Sequence, residues 1–144
     1  MILYSTEHKS PNVSLEEAIF RGLPPDNGLY MPTSIQPLPA SFFETIQDRS
    51  LPEIAIAVCE NLLGDSLTSE EIKKIIDQSM TFEAPIVSLE PGTEVLELFH
   101  GPSMAFKDFG ARFLAACMAR IIQQRGSSAT ILVATSGDTG GAVA

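Results

Sequence analysis

Between Val95 and Thr135 the chain runs through an apolar strand-like stretch, a helical pattern from about Ala105 to Gln124, and a β-branched run, Thr130 to Thr135 (TILVAT). That succession constrains the fold more than any other feature. Parallel strands can be joined only by a crossover of a dozen or more residues, usually a helix, so strand, helix, strand predicts a βαβ unit. Such a unit needs neighbours to cover both sheet faces. The expectation is an α/β protein: a small mixed N-terminal α/β domain over residues 1–84, followed over 85–144 by the beginning of a parallel-sheet domain, truncated at Ala144 before the sheet is complete.

Upstream, Ile2 to Tyr4 suits a short strand, and Leu29 to Met31 suits an extended segment closed by Pro32. Between them, Ser14 and Glu17 spell a capping box opening a helix through Leu15, Ala18, Ile19 and Phe20, with Gly22 as its stop. Pro24, Pro25, Asp26, Asn27 and Gly28 make a compact turn. Three more capping boxes follow: Ser41 with Glu44, Ser50 with Glu53, and Thr68 with Glu71. Leu51, Ile54, Ala55, Val58 and Leu62 share one face of the second of these helices, and Gly64 ends it. Ile72, Ile75, Ile76 and Met80 share a face of the third. The acidic residues of these helices read as caps and solvated surface rather than as paired catalytic carboxylates. Ile86 to Leu89, a Pro91-Gly92 turn and Val95 to Phe99 read as strands.

Charge narrows the partners. Eighteen acidic residues against nine basic give a net charge of -9, which repels a phosphate backbone or an anionic membrane surface, so nucleic acid and membrane are both excluded as expected partners. No window approaches the roughly 20 apolar residues that span a bilayer, and MILYSTEHKS has no signal-peptide pattern, so the expected location is cytoplasmic. The sequon Asn12-Val13-Ser14 then reads as a helix cap. Cys59 and Cys117, each inside an apolar helical pattern, read as reduced core thiols; no clustered metal ligands exist.

Two stretches carry chemistry. In LFHGPSMAFKDFGARF, a strand passes through a Gly-Pro turn into a helix with Lys107 near its start. An ammonium there is disfavoured by the helix dipole by roughly 0.3 to 1 kcal/mol. Enclosure by Met104, Phe106 and Phe109 would add desolvation, and the two together favour the neutral amine, the form that does Schiff-base chemistry. Asp108 suits a helix start and, with Arg112, predicts an i, i+4 ion pair on the outer face. His100 reads as a satisfied loop histidine or a proton donor. The second stretch, ATSGDTGGAVA, turns from the strand at Thr135 into another small-residue helix at Gly141. Gly137, Gly140 and Gly141 permit close backbone approach, and Ser136 and Thr139 add hydroxyls, a pattern suited to an anion beyond the C-terminal end of a parallel strand. Close helix-to-sheet packing explains the same glycines equally well. Asp108-Phe109-Gly110 spells a kinase triplet but lacks the phosphate and catalytic loops that accompany it. The glycine turn matches neither the dinucleotide fingerprint nor the P-loop.

Together HGPSMAFKDFGARF and ATSGDTGGAVA resemble threonine synthases, pyridoxal-phosphate enzymes of the tryptophan-synthase β fold type (fold type II), and VSLEEAIFRGLPPDNGLYMP resembles the small N-terminal domain of that family. The resemblance covers essentially the whole chain. It implies that Lys107 is the lysine that holds pyridoxal 5'-phosphate covalently and then moves protons as a general base. It further implies that Ser136, Gly137, Asp138 and Thr139 hold the substrate carboxylate and that Asp138 lies near the cofactor's phenolic oxygen. The implied reaction converts O-phospho-L-homoserine and water to L-threonine and phosphate by β,γ-elimination and hydration. The family's cofactor-phosphate loop and pyridine-nitrogen partner fall beyond Ala144. The expectation is therefore that this chain alone lacks the cofactor and is inactive, and that it self-associates through the apolar edge of its incomplete sheet. A phospholyase on the same scaffold and a non-catalytic interaction module are the alternatives.

Overall fold

A computed structural model describes residues 1–135 and 137–143. The chain divides into two compact units, Met1–Lys73 and Lys74–Ala144, and the architecture is mixed α/β.

The first unit is built on β1 (Ile2–Ser5), which pairs antiparallel with β2 (Val13–Ser14) on one side and β3 (Tyr30–Pro32) on the other. Leu3 sits opposite Val13 and Pro32, and Ser5 opposite Tyr30. Pro32 is tolerated because β3 is an edge strand and ends there. Leu3 and Ser5 point inward, as the period of two requires. Burying the Ser5 hydroxyl demands a partner, and Asp26 supplies it: Oγ of Ser5 donates to Oδ1 at 2.6 Å, while the Gly28 and Lys9 amides donate to the same carboxylate at 3.1 and 3.0 Å. Partial burial raises the Asp26 carboxyl, but the hydrogen bonds from Ser5, Gly28, Ser10 and Lys9 outweigh it and hold it well below the usual carboxylate range. Gly28 is required here because any β-carbon would run into the Ser5 hydroxyl. Asn27 takes φ 63°, a left-handed turn conformation asparagine tolerates. The PPDNG turn is thus a knot that ties β1 to β3.

Between β2 and β3, α1 (Leu15–Arg21) starts on Ser14, whose Oγ accepts from the Glu17 amide, and stops at Gly22 with φ 72°. Only half of the predicted capping box forms, because the Glu17 carboxylate pairs with Arg21 one turn on. The box expected at Ser41 and Glu44 does not form. Instead α2 (Ala40–Glu44) begins two residues earlier, with Pro39 as its cap, so Ser41 lies inside the helix and its carbonyl accepts from Thr45 Oγ1. A 3-10 turn, Ile46–Asp48, leads to α3 (Leu51–Leu63), which has the full reciprocal box of Ser50 and Glu53 and is capped by Gly64. The box of Thr68 and Glu71 is complete as well and opens α4 (Ser69–Ser79), which crosses the division between the units. Ile72, Ile75 and Ile76 of α4 are buried, as their spacing predicts.

In the second unit, β4 (Ile86–Glu90) and β5 (Thr93–Leu96) form an antiparallel hairpin around Pro91 and Gly92, with Gly92 at φ 85°. A loop leads to α5 (Lys107–Arg125), whose C-terminus closes at left-handed Gly126: the Gly126 amide donates to the Gln123 carbonyl and the Ser127 amide to Ile122. Ala116, Cys117 and Ile121 form its buried stripe. Cys59 and Cys117 are unbridged, and burial pushes the Cys59 thiol up.

One predicted element is missing: residues 130–135 join no sheet, and Leu132 is 91% exposed. A parallel strand needs a partner from another βαβ unit. Both sheets among the described residues are antiparallel, and neither includes this run. The final helix, α6 (Asp138–Val143), begins at Asp138 rather than at Gly141.

Candidate functional site

Lys107 is the first residue of α5, preceded by Phe106 without a side-chain cap. Its Nζ stands 4.4 Å from the centre of the Phe106 ring, a cation–π distance. Among the described residues it makes no hydrogen bond or ion pair. An open cleft of about 520 Å³ surrounds it, lined by Leu98, Phe106, Phe109, Leu114, Thr139 and Val143. Apart from the Lys107 amine and the Thr139 hydroxyl this lining is apolar. Enclosure is less complete than expected: Phe106 and Phe109 line the cleft, but Met104 is 77% exposed and takes no part. The reason is backbone direction, since Met104 sits at φ 55° in the loop and its side chain leaves the surface.

The expected pair of Asp108 and Arg112 does not form. Asp108 is 2% exposed and folds back over the preceding loop, where Oδ2 accepts the Ser103 amide at 2.9 Å. Arg112 instead donates to the Ser79 and Gln78 carbonyls at the C-terminal end of α4 and to the Thr81 hydroxyl, at 3.2 to 3.4 Å. Cationic donors suit that end of a helix. Its guanidinium also lies 6.0 Å from the Phe82 ring, which meets Phe109 edge to face at 4.7 Å. His100 is a satisfied histidine, with Nε2 2.7 Å from Glu97 Oε2 and its ring stacked on Phe99.

The second predicted stretch comes to the same cleft through Thr139. α6 packs on α5, and a β-carbon on Gly141 would stand 4.0 Å from that of Ser103. Gly140 is fixed by the approach of Thr135, whose methyl group would lie 2.5 Å from any β-carbon there. Gly137 takes φ 150°; its amide donates to Thr135 Oγ1 at 3.3 Å and its carbonyl accepts from Gly141 at 2.8 Å. Asp138 opens α6 and is exposed. Ser136 lies outside the described residues. Sequence reasoning missed Ser103, whose Oγ is buried without a hydrogen-bond partner among the described residues, and misread Asp108. For Asp108 the glycine at 101 was the available signal, because a close-approach glycine beside a helix start asks what is approaching it.

The profile of the threonine synthase N terminus matches residues 3–80. The chain belongs to the threonine synthase family. It is 40% identical to threonine synthase of Schizosaccharomyces pombe over 96% of its length and 38% identical to that of Haemophilus influenzae over all of it. It spans about a third of these relatives, 30% and 33% respectively. Among solved structures, the pyridoxal-phosphate-bound threonine synthase of Brucella melitensis aligns with a TM-score of 0.90 at 36% identity, over 99% of this chain and 32% of that one. The Escherichia coli enzyme gives the same TM-score at 33% identity. Among the described residues of this chain no helix is long and apolar enough to cross a membrane.

Proposed function

We propose that this chain supplies the N-terminal third of a threonine synthase, which converts O-phospho-L-homoserine and water to L-threonine and phosphate. In this reading residues 1–84 are the family's N-terminal domain and residues 85–144 open its cofactor-binding domain. The observation that carries it is Lys107: an amine without a hydrogen-bond partner at a helix start, in an apolar cleft that Thr139 of the glycine-rich turn also lines.

The residues present fit pyridoxal phosphate on one side. Lys107 offers the amine that would hold it, and the buried Ser103 hydroxyl beside α6, unpaired among the described residues, leaves a polar atom for a ligand to satisfy. When bound, the cofactor supplies an electron sink for carbanion chemistry. Lys107 would then hold or move the proton at the substrate carbon. Gly137, Asp138 and Thr139, with Ser136 before them, would bind the amino-acid carboxylate through main-chain amides at the start of α6, where the first N–H groups have no acceptor within the helix. Asp138 would also stand near the cofactor's phenolic oxygen.

Because the chain spans a third of its relatives, the expected behaviour of the isolated polypeptide is weak or no retention of cofactor and no threonine formation. The test is dialysis after incubation with pyridoxal phosphate, read by visible absorbance, alongside a threonine assay with O-phospho-L-homoserine. The same two measurements are then made on a chimera in which this chain replaces the corresponding third of the E. coli enzyme. Cofactor retention and threonine production by the chimera, both lost in Lys107→Ala, are expected. A chimera whose Lys107→Ala variant still makes threonine would refute the assignment.

A further inference from the structure

Asp108 is buried next to Lys107 in sequence, yet it bonds neither Lys107 nor Arg112. Its Oδ2 accepts the Ser103 amide at 2.9 Å. It packs on Gly101 so closely that a β-carbon there would lie 2.8 Å from both Cβ and Cγ of Asp108. Between these two contacts the loop makes a tight turn, the Met104 amide donating to the Gly101 carbonyl at 3.0 Å with Met104 in a left-handed conformation. The loop then runs through Ala105, whose carbonyl accepts the Asp108 amide at 3.1 Å, to Phe106, whose ring carries the Lys107 amine. Asp108 therefore grips the far end of the loop whose near end seats that amine.

We propose that Asp108 is a positioning residue: it pins the Gly101–Ser103 turn to the first turn of α5, and through that loop fixes Phe106 and the Lys107 amine above it. The same engagement keeps the neighbouring carboxylate occupied by a backbone amide, so that it does not neutralise Lys107 as an ion-pair partner. The functional consequence rests on Lys107 being the cofactor lysine; the structural claim about its side chain does not.

The test uses the chain itself, with its lysines reductively dimethylated with 13C-formaldehyde and the Lys107 resonance identified by its absence in Lys107→Arg. In the wild type that resonance is shifted by the Phe106 ring current. In Asp108→Ala it should move to the position of free dimethyl-lysine, and hydrogen exchange at the Ser103 amide should accelerate about tenfold to a hundredfold. Asp108→Asn keeps a carbonyl acceptor and should restore most of both signals, a rescue that loss of general stability would not show. Gly101→Ala, which displaces Asp108 without removing it, should reproduce the alanine result and serves if Asp108→Ala fails to fold. An unchanged Lys107 resonance in either Asp108→Ala or Gly101→Ala, with far-UV circular dichroism intact, overturns the proposal. A chimera that traps no cofactor on Lys107 would instead overturn the functional reading and leave this measurement standing.

Discussion

Gly101→Ala is a one-carbon change whose cost can be worked from the contacts it would make. The added methyl would meet the Asp108 carboxylate, with Cβ and Cγ of Asp108 at 2.8 Å, where ordinary carbon contacts need about 3.5 Å or more. Backbone or helix start must give way by most of an ångström. Overpacking of this kind costs about 1–3 kcal/mol, and a carboxylate hydrogen bond such as that of Asp108 with the Ser103 amide is worth about 1.5–3 kcal/mol if it breaks. The two losses are alternatives in part, since moving the loop relieves the clash by sacrificing the bond, so the expected destabilisation is about 2–3 kcal/mol. Urea unfolding followed by far-UV circular dichroism measures it. The decisive arm is a double variant: once Asp108→Gly has removed both the carboxylate and the β-carbon that obstruct it, adding Gly101→Ala should cost under about 0.5 kcal/mol. Additive costs would show that Gly101 is needed for some reason other than Asp108, and the steric reasoning would fail.

Other outcomes follow from the same structure. Asp26 has its carboxyl lowered by four hydrogen-bonding groups, so its stabilisation is present above the ordinary carboxylate range near pH 4 and is lost as pH falls below it; Asp26→Asn should flatten the acid limb of the stability profile measured by thermal melts. Ile76, wholly buried in α4, should cost about 2–5 kcal/mol as Ile76→Ala in the same urea assay. Self-association through the unpaired apolar run is proposed to make sedimentation concentration-dependent, and Leu132→Lys should weaken it; a wild-type chain that sediments as a monomer at all concentrations would contradict this.

Local signals were the legible ones. Ser50 with Glu53 and Thr68 with Glu71 announce helix starts because a cap is made by residues three apart, and Gly22, Gly64 and Gly126 announce stops for equally local reasons. Where two local options competed, the pattern misled: Glu17 could serve Ser14 or Arg21, and it serves Arg21. Tertiary choices were out of reach. Asp108 and Arg112 have ideal helical spacing, but a loop amide and the carbonyls ending α4 offered each a partner that no periodicity reveals. The run Thr130–Thr135 has the composition of a buried strand, yet strand formation depends on a partner elsewhere, and the described residues contain none for it. The placement of Lys107 was legible because its oddity is local, a cation at the positive end of a helix among aromatic residues. The buried Ser103 hydroxyl was not, because burial of one loop atom leaves no mark on sequence.

The central claim is that Lys107 is the covalent anchor for the cofactor, and borohydride reduction followed by peptide mass mapping tests it directly. In the chimera completed with the remaining two thirds of the E. coli enzyme, the reduced pyridoxyl group should be found on the peptide containing Lys107 and on no other lysine. Finding it on a different lysine, or finding the same labelling in Lys107→Ala, would contradict the account.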